Sequence, residues 1–286
     1  MLHNNDPSDN NFDLIAKSLK YAEKFRDKTF VIKFSGKVLS NVEMLESVLQ
    51  DIILLKEKAG INAVVLHGAS EQISKVMDEL GLNSTFVEGL RVTDKNTLKI
   101  VIGVLHDINS KIVWRINQLG GRAIGFSGVS GNVFMAKKRN EELGFVGTIS
   151  EVNTGIISLI IERDYIPVIF SIGSDGKGGS LNINADEGAG RLASVLHADK
   201  LIIISDVLGL MKNLNDDGSL IREIKFDGCA HLLEGDTISG GMIPKIKGCM
   251  SAIEGGVGSA HIIGLKNHAL LEEIFTDQGS GTMITR

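Results

Sequence analysis

Five short apolar runs punctuate the chain: FVIKF (30–34), AVVLHG (63–68), IPVIFSIG (166–173), LIIIS (201–205) and HIIGL (261–265). None alternates between apolar and polar residues, so each reads as a strand covered on both faces. Segments of helical periodicity separate them. Strands joined by helices must run mainly parallel, with helices crossing over both faces. The expected fold class is therefore α/β, a three-layer α/β/α sandwich around an open, mainly parallel sheet with two lobes.

The helical segments carry their own start and stop signals. VEMLESVLQDIILLKEKAG (42–60) ends at Gly60, a second helix spans 71–80, and Thr93 or Asp94 caps a long helix to Leu119, closed by Gly120-Gly121. Its apolar positions include Leu98, Val101, Leu105, Ile108 and Ile112. AIGFSG (123–128) reads as a strand, and VFMAK (133–137) with FVGTIS (145–150) as a hairpin. Further helices are expected at 151–163, 186–197, 227–234, 244–255 and 268–275, and a last strand at 282–285. Ahead of the first strand, Phe12, Ile15, Leu19, Ala22 and Phe25 form a narrow apolar stripe on a helix. Residues 1–11, rich in Asn and Asp, read as a mobile segment.

Composition excludes several function classes. Basic residues number 30 against 35 acidic ones, for a net charge of −5, which leaves no footprint for nucleic acid. Aromatic residues are 5%, too few for a base-stacking surface. The N-terminus has no signal-peptide stretch, and the apolar runs are too short to span a bilayer. Cys229 and Cys249 lack CxxC spacing. These features point to a cytoplasmic protein without membrane or nucleic-acid partners. Glycine is the outlier, with 33 residues against 3 prolines. Gly36, Gly68, Gly128, Gly173 and Gly209 all follow strand-like runs. Loops at the carboxyl ends of parallel strands are where such sheets bind ligands.

No standard phosphate or metal motif explains those loops. GSDGKGG (173–179) is neither a P-loop nor a GxGxxG fingerprint, and no HExxH or GxSxG occurs. The histidines have no metal-ligand spacing, so no metal-binding residues are assigned. Three loops combine glycine with lysine or asparagine. VIKFSGK (31–37) sets Lys33 inside an apolar strand, either against an anion or as an edge lysine reaching water. LNINADEGAG (181–190) aligns Asn182, Asn184 and Asp186 at a helix entry, where Asp186 serves chemistry or caps the helix. ISGGMIPKIKG (238–248) places two glycines and Pro244 before Lys245, a ligand group or a solvated lysine.

Taken together, these loops resemble the amino acid kinase family, and within it the acetylglutamate kinases. The matching segments, in family order, include FVIKFSG, AVVLHG, FVEGLRVTD, LGFVGTISEVN, NINADEGAG, ISDVLGL, ISGGMIPKIKG, EGGV and HIIGLKNHALLEEIF; they cover about residues 12–286. The resemblance implies phosphorylation of the side-chain carboxylate of N-acetyl-L-glutamate by ATP in arginine biosynthesis, with Mg²⁺ held mainly through the phosphates. It implies Lys33 and Lys245 as catalytic cations on the transferring phosphoryl group, with Asp186 holding both. Gly68, Ala69, Arg91, Asn182 and Asn184 fall at the substrate. Gly36, Ser205, Asp206, Gly209, Met211, Thr237, Ser239, Gly240 and Gly241 fall at the nucleotide. The implied organisation is an N-terminal segment and helix (1–28) before a kinase domain (29–286), divided into a substrate lobe (29–199) and a nucleotide lobe (200–286).

This chain departs from the family in two loops. Ser35 stands for a glycine in the first, and Ala69 and Ser70 replace glycines in the second. The residues also leave open a related kinase with a shifted acyl-amino acid substrate, or a non-catalytic regulatory paralogue.

The N-terminal helix resembles that of arginine-sensitive members, whose helices interlace dimers into hexamers. Tyr21, His268, Glu273 and Gly279 are the positions expected at an allosteric L-arginine site. Some relatives bind a PII-type signalling protein; nothing readable in this sequence establishes that contact.

Overall fold

The computed structural model describes residues 7–213, 216–235, 238 and 240–286. The expected apolar runs form the centre of an eight-stranded sheet. β1 (Thr29–Phe34) lies between β2 (Asn62–His67) and β11 (Lys200–Ser205). On the β2 side follow β8 (Ile166–Phe170) and the edge strand β5 (Ala123–Ser127). On the β11 side follow β13 (Ser259–Gly264), β14 (Thr282–Thr285) and β12 (Glu223–Lys225). All neighbours pair parallel except β13 with β14. Strands from before residue 200 thus fill one half of the sheet, and those from residue 200 onward the other.

Strand alternation decides what each face carries. Phe30, Ile32 and Phe34 of β1 enter the core beneath α3 (Val42–Glu57), α4 (Ser70–Glu79), α5 (Lys95–Gln118) and α10 (Ala269–Phe275). Val31 enters the opposite core, beneath α7 (Ala185–Val195) and α9 (Met242–Glu254). Lys33 falls on the same face as Val31 by period two. It is therefore aimed at α7 and α9.

Those two helices touch backbone to backbone. A Cβ on Gly190 would lie 2.2 Å from Gly248 O, and one on Gly248 would lie 2.4 Å from Asp186 O. Only glycine at both positions permits this approach. The crossing sets the amino-terminal turn of α7, with Asp186, beside that of α9, with Lys245.

Some elements differ from the sequence reading. The run 166–173 breaks at Ser171 into β8 and β9 (Ile172–Ser174). β9 joins β6 (Phe134–Lys138), β7 (Val146–Val152) and β10 (Ser180–Ile183) in a small closed ring over the sheet's edge. Gly147 and Gly173 allow so tight a closure; a Cβ on Gly147 would meet Leu181 Cβ at 2.8 Å. The expected hairpin is β6–β7. β7 runs on to Val152, so the following helix, α6, is Gly155–Glu162 rather than 151–163. Asn153 Oδ1 accepts from Gly155 N and turns the chain into that helix. Asp94, not Thr93, caps α5, accepting from Thr97 N at 2.7 Å. Four elements lack an apolar pattern long enough to read: α2 (Gly36–Ser40), the two-residue strands β3 (Phe86–Val87) and β4 (Leu90–Arg91), and β12.

At the N-terminus, α1 (Pro7–Phe25) starts earlier than the stripe suggests, inside the segment read as mobile; residues 1–6 of that segment lie outside the described residues. Tyr21 donates to Asp277 Oδ1 at 2.7 Å and Lys17 pairs with Asp277 Oδ2 at 2.8 Å. Phe25 meets Phe30 edge to face, with centroids 5.3 Å apart. Phe12, Ile15 and Leu19 remain exposed. α8 (Phe226–Glu234) completes the second layer against α9. Among the described residues, no helix is long and apolar enough to cross a membrane.

Candidate active site

A cavity of about 220 Å³ opens at the carboxyl ends of β1, β2 and β10. Three of the loops singled out by sequence meet there. Asp186 sits between the two lysines: Lys33 Nζ is 2.6 Å from Oδ1, and Lys245 Nζ is 3.5 Å from Oδ2. All three side chains are nearly buried, at 5%, 8% and 12% exposure for Lys33, Asp186 and Lys245. Asp186 is not the helix cap. Asn184 fills that role, its Oδ1 accepting from Asp186 N at 2.9 Å and Glu187 N at 3.0 Å. The carboxylate is thereby free to face the lysines.

The charges do not balance. One carboxylate faces two ammonium groups in a low-dielectric setting. Burial lowers the pKa of Lys33, and Lys245 adds to that; Asp186 opposes it. Burial alone would raise the Asp186 pKa, but Lys33 and Lys245 outweigh it and hold the group below its usual range. The excess positive charge faces the cavity, which an anion can relieve.

Arg91 lines the same cavity from β4 and is itself buried. Its Nη1 donates to Ser84 Oγ at 2.7 Å, and its Nη2 donates to Ser70 O and Ser74 Oγ at 2.8 Å each. Phe86 stacks beneath it, 4.6 Å from the guanidinium carbon. Among the described residues no carboxylate pairs with it. Thr93 Oγ1 donates to Arg91 O, and Asn182 Nδ2 donates to Thr93 Oγ1 at 3.2 Å, so β4 and β10 are tied together at the cavity wall. Gly36, expected at the nucleotide, lines this first cavity and not the second, beside Gly68, Ala69, Ser70 and Asn184. Ser35 also lines it, and its buried Oγ has no hydrogen-bond partner among the described residues.

A second cavity of about 380 Å³ adjoins the first, and the two share Gly241 and Lys245. Ser205, Asp206, Gly209 and Met211 line it, with apolar walls from Leu232, Ile238 and Met242. Thr237 and Ser239 lie outside the described residues, and Gly240 is not in its wall. Lys37, which sequence reading passed over, pairs with Asp206 at 2.7 Å. Among the described residues no group of three or more His, Cys, Asp or Glu could hold a metal ion.

The four positions expected around arginine all border α10: His268 precedes it, Glu273 lies within it, Gly279 follows it, and α1, which carries Tyr21, packs against it. Gly279, at φ +62°, abuts Glu273: a Cβ there would lie 2.7 Å from Oε2. Tyr21 faces Asp277. His268 instead turns to Asp51, with Nδ1 2.7 Å from Oδ1. The histidine at Glu273 is His261, whose Nδ1 lies 2.6 Å from Oε1. Its place inside an apolar strand was the signal available in the sequence.

An open parallel sheet with two buried lysines and an aspartate between adjoining cavities defines a class, and the chain belongs to it: the model of the amino acid kinase family matches residues 28–264. It is 43% identical to acetylglutamate kinase of Heliobacterium modesticaldum, over 96% of this chain and 97% of that one. It is 46% identical to acetylglutamate kinase of Caldanaerobacter subterraneus, over 95% and 92%. Among solved structures, N-acetylglutamate synthase from Neisseria gonorrhoeae shares the fold, with TM-score 0.85 and 22% identity over 96% of this chain and 63% of that one. Giardia carbamate kinase shares it with TM-score 0.67 and 16% identity, over 91% and 99%.

Proposed function

We propose that this chain catalyses the ATP-dependent phosphorylation of N-acetyl-L-glutamate on its side-chain carboxylate, a step of arginine biosynthesis. The observation that carries the reading is the Lys33–Asp186–Lys245 cluster, which leaves one positive charge unneutralised where the two cavities meet. The names of the near-full-length relatives support the substrate and weigh against a shifted substrate or a non-catalytic paralogue.

The chemistry asks little of a general base. A side-chain carboxylate with a pKa of about 4.3 is ionised at neutral pH. One of its oxygens attacks the γ-phosphorus, the bond from that phosphorus to the bridging oxygen breaks, and ADP leaves with the electron pair. No proton moves. The obstacle is repulsion between two anions, so catalysis consists of positioning and charge neutralisation. Lys33 and Lys245 meet the phosphoryl oxygens from two sides, and Asp186 fixes both ammonium groups. Arg91, held by serine oxygens and without a carboxylate of its own, pairs with the substrate's α-carboxylate, and Asn182 closes that end. The second cavity takes the nucleotide. Mg²⁺ would be held mainly through the ATP phosphates and would supply further positive charge there.

The substrate lobe is then 29–199 and the nucleotide lobe 200–286. We also carry forward a hexameric assembly inhibited by L-arginine. It is supported by the docking of α1 on Asp277, which leaves Phe12, Ile15 and Leu19 uncovered for another subunit.

A coupled ADP-release assay with N-acetylglutamate, glutamate, aspartate and N-acetylaminoadipate tests the reaction. Turnover is expected with the first alone; a preference for another acceptor overturns the assignment. Arg91→Ala should raise KM for the acceptor about 10–100-fold with little change in kcat, since its contact persists from ground state to product.

A further inference from the structure

His67 ends β2 directly before the loop that lines the cavity. It is fully buried, and burial pushes its pKa down to about 4. A neutral imidazole has one N–H, and the structure fixes which nitrogen carries it. Asn109, in the middle of α5, has its Nδ2 2.9 Å from Val168 O and 3.1 Å from His67 Nε2. A backbone carbonyl only accepts, so the Asn109 nitrogen faces it as a donor, and the same NH₂ faces Nε2. Nε2 therefore accepts, and the proton lies on Nδ1. Nδ1 then donates to Gly68 O at 3.3 Å. Room for Asn109 comes from Gly125 on the edge strand, where a Cβ would fall 2.0 Å from Asn109 Oδ1.

The consequence lies one bond further on. In a trans peptide the N–H points opposite to the C=O. Holding Gly68 O toward His67, on the α5 side of the sheet, turns Ala69 N–H to the side where α7 and Asp186 lie. Ala69 is buried, lines the cavity, and its N–H has no acceptor among the described residues. A buried backbone donor without a partner is rare in a folded chain. We propose that His67 and Asn109 are positioning residues: they lock the Gly68–Ala69 peptide so that Ala69 N–H meets an anionic oxygen at the reaction centre. The proposal rests on the kinase reading above, and neither side chain touches the reactants.

The first test needs no variant and no ligand. In the ¹⁵N spectrum of the free protein at pH 7, His67 should show a protonated Nδ1 and a bare Nε2; the reverse overturns the proposal. The second compares His67→Leu, Asn109→Leu and His67→Asn. An asparagine amide nitrogen sits where Nδ1 was and still donates to Gly68 O. Both leucine variants should lose about tenfold to a hundredfold in kcat, with KM for N-acetylglutamate within about twofold. His67→Asn should recover most of the loss. Binding of ADP with aluminium fluoride and acceptor should weaken in the same order, while binding of ADP alone stays constant. An asparagine variant as poor as the leucine one, or a rise in KM at constant kcat, overturns the proposal. A leucine variant that fails to fold leaves the ¹⁵N result and the asparagine variant to decide. Absence of turnover by the unmodified chain would instead strike the kinase reading, and the tautomer would still be read.

Discussion

Lys33 and Lys200 stand on neighbouring strands, β1 and β11, and face opposite sides of one sheet. Each is joined to a carboxylate network, yet the networks differ in their balance. At Lys33, one carboxylate faces two ammonium groups, and the remainder of the charge faces a cavity. At Lys200, the ammonium lies 3.0 Å from His261 Nε2 and 3.1 Å from Ser259 Oγ, and His261 reaches Glu273. Glu273 also accepts from the backbone N–H of Ser280 and Gly281. Burial lowers the Lys200 pKa to about 8. The first network is closed only by adding an anion from outside. The second is closed within the chain and joins α10 to the sheet. Charge left over sets the cluster proposed to be reactive apart from the one whose polar groups satisfy one another.

The largest expected effect breaks the first network. Lys33→Ala and Lys245→Ala should each lower kcat by about 10²–10³, as loss of one preorganised charge donor does. KM for the acceptor should change far less. Thermal stability should change little in Lys33→Ala, because Lys245 remains to balance the buried Asp186 carboxylate. Paired measurements of kcat and melting temperature check this. A variant that melts early while keeping its rate would make the cluster structural and erase the contrast.

Acid should bring out the histidines buried beside the two networks. The folded chain refuses a proton at His67 until about pH 4, whereas the unfolded chain accepts one near 6.5. Stability from this group is complete above about pH 6.5 and is lost as pH falls toward 4, by about 3 kcal/mol in all. His261, its pKa also lowered by burial, acts in the same direction. Urea unfolding across pH 4–7 should show this slope in the unmodified chain and a shallower one in His67→Asn. Equal slopes would mean that His67 is not held neutral.

His261→Leu attacks the second network alone. Glu273 and Lys200 each lose a buried partner, which costs about 1–3 kcal/mol. The expected result is a lower melting temperature with kcat within about twofold. A loss of rate without loss of stability would tie this network to the reaction and remove the distinction drawn above.

Much of this contrast could be read in the chain before folding, and for definite reasons. Lys33 interrupts an apolar run, and period-two alternation fixes its face, so sequence alone set it apart. Asp186 and Lys245 stood out by the glycines and asparagines around them, but their meeting depends on the Gly190–Gly248 crossing, which no local pattern announces. The helix cap could not be divided between Asn184 and Asp186 from sequence, because both residue types cap well. The closed ring of β6, β7, β9 and β10 escaped for a similar reason. Its strands are short, and closure depends on pairings between distant segments. The Asn109–His67 pair joins a helix to a strand across 42 positions, and nothing near either residue points to the other.

The smallest expected effect concerns α1, which belongs to neither network. Asp277 holds it by two exposed contacts, to Lys17 and Tyr21. Exposed ion pairs contribute little to global stability, while Phe25 remains anchored on Phe30 at the helix's far end. Asp277→Ala should therefore leave the melting temperature and kcat nearly unchanged. The backbone amides of residues 12–21 should nevertheless exchange with deuterium faster, since a single helix of this length is marginal without docking. If the helices also bridge subunits through Phe12, Ile15 and Leu19, the same substitution should shift the hexamer toward smaller species at low protein concentration, read by analytical ultracentrifugation. Unchanged exchange in α1 would show that Asp277 does not hold it. A fall in melting temperature as large as that of His261→Leu would make α1 part of the folded core and remove its role as a detachable arm.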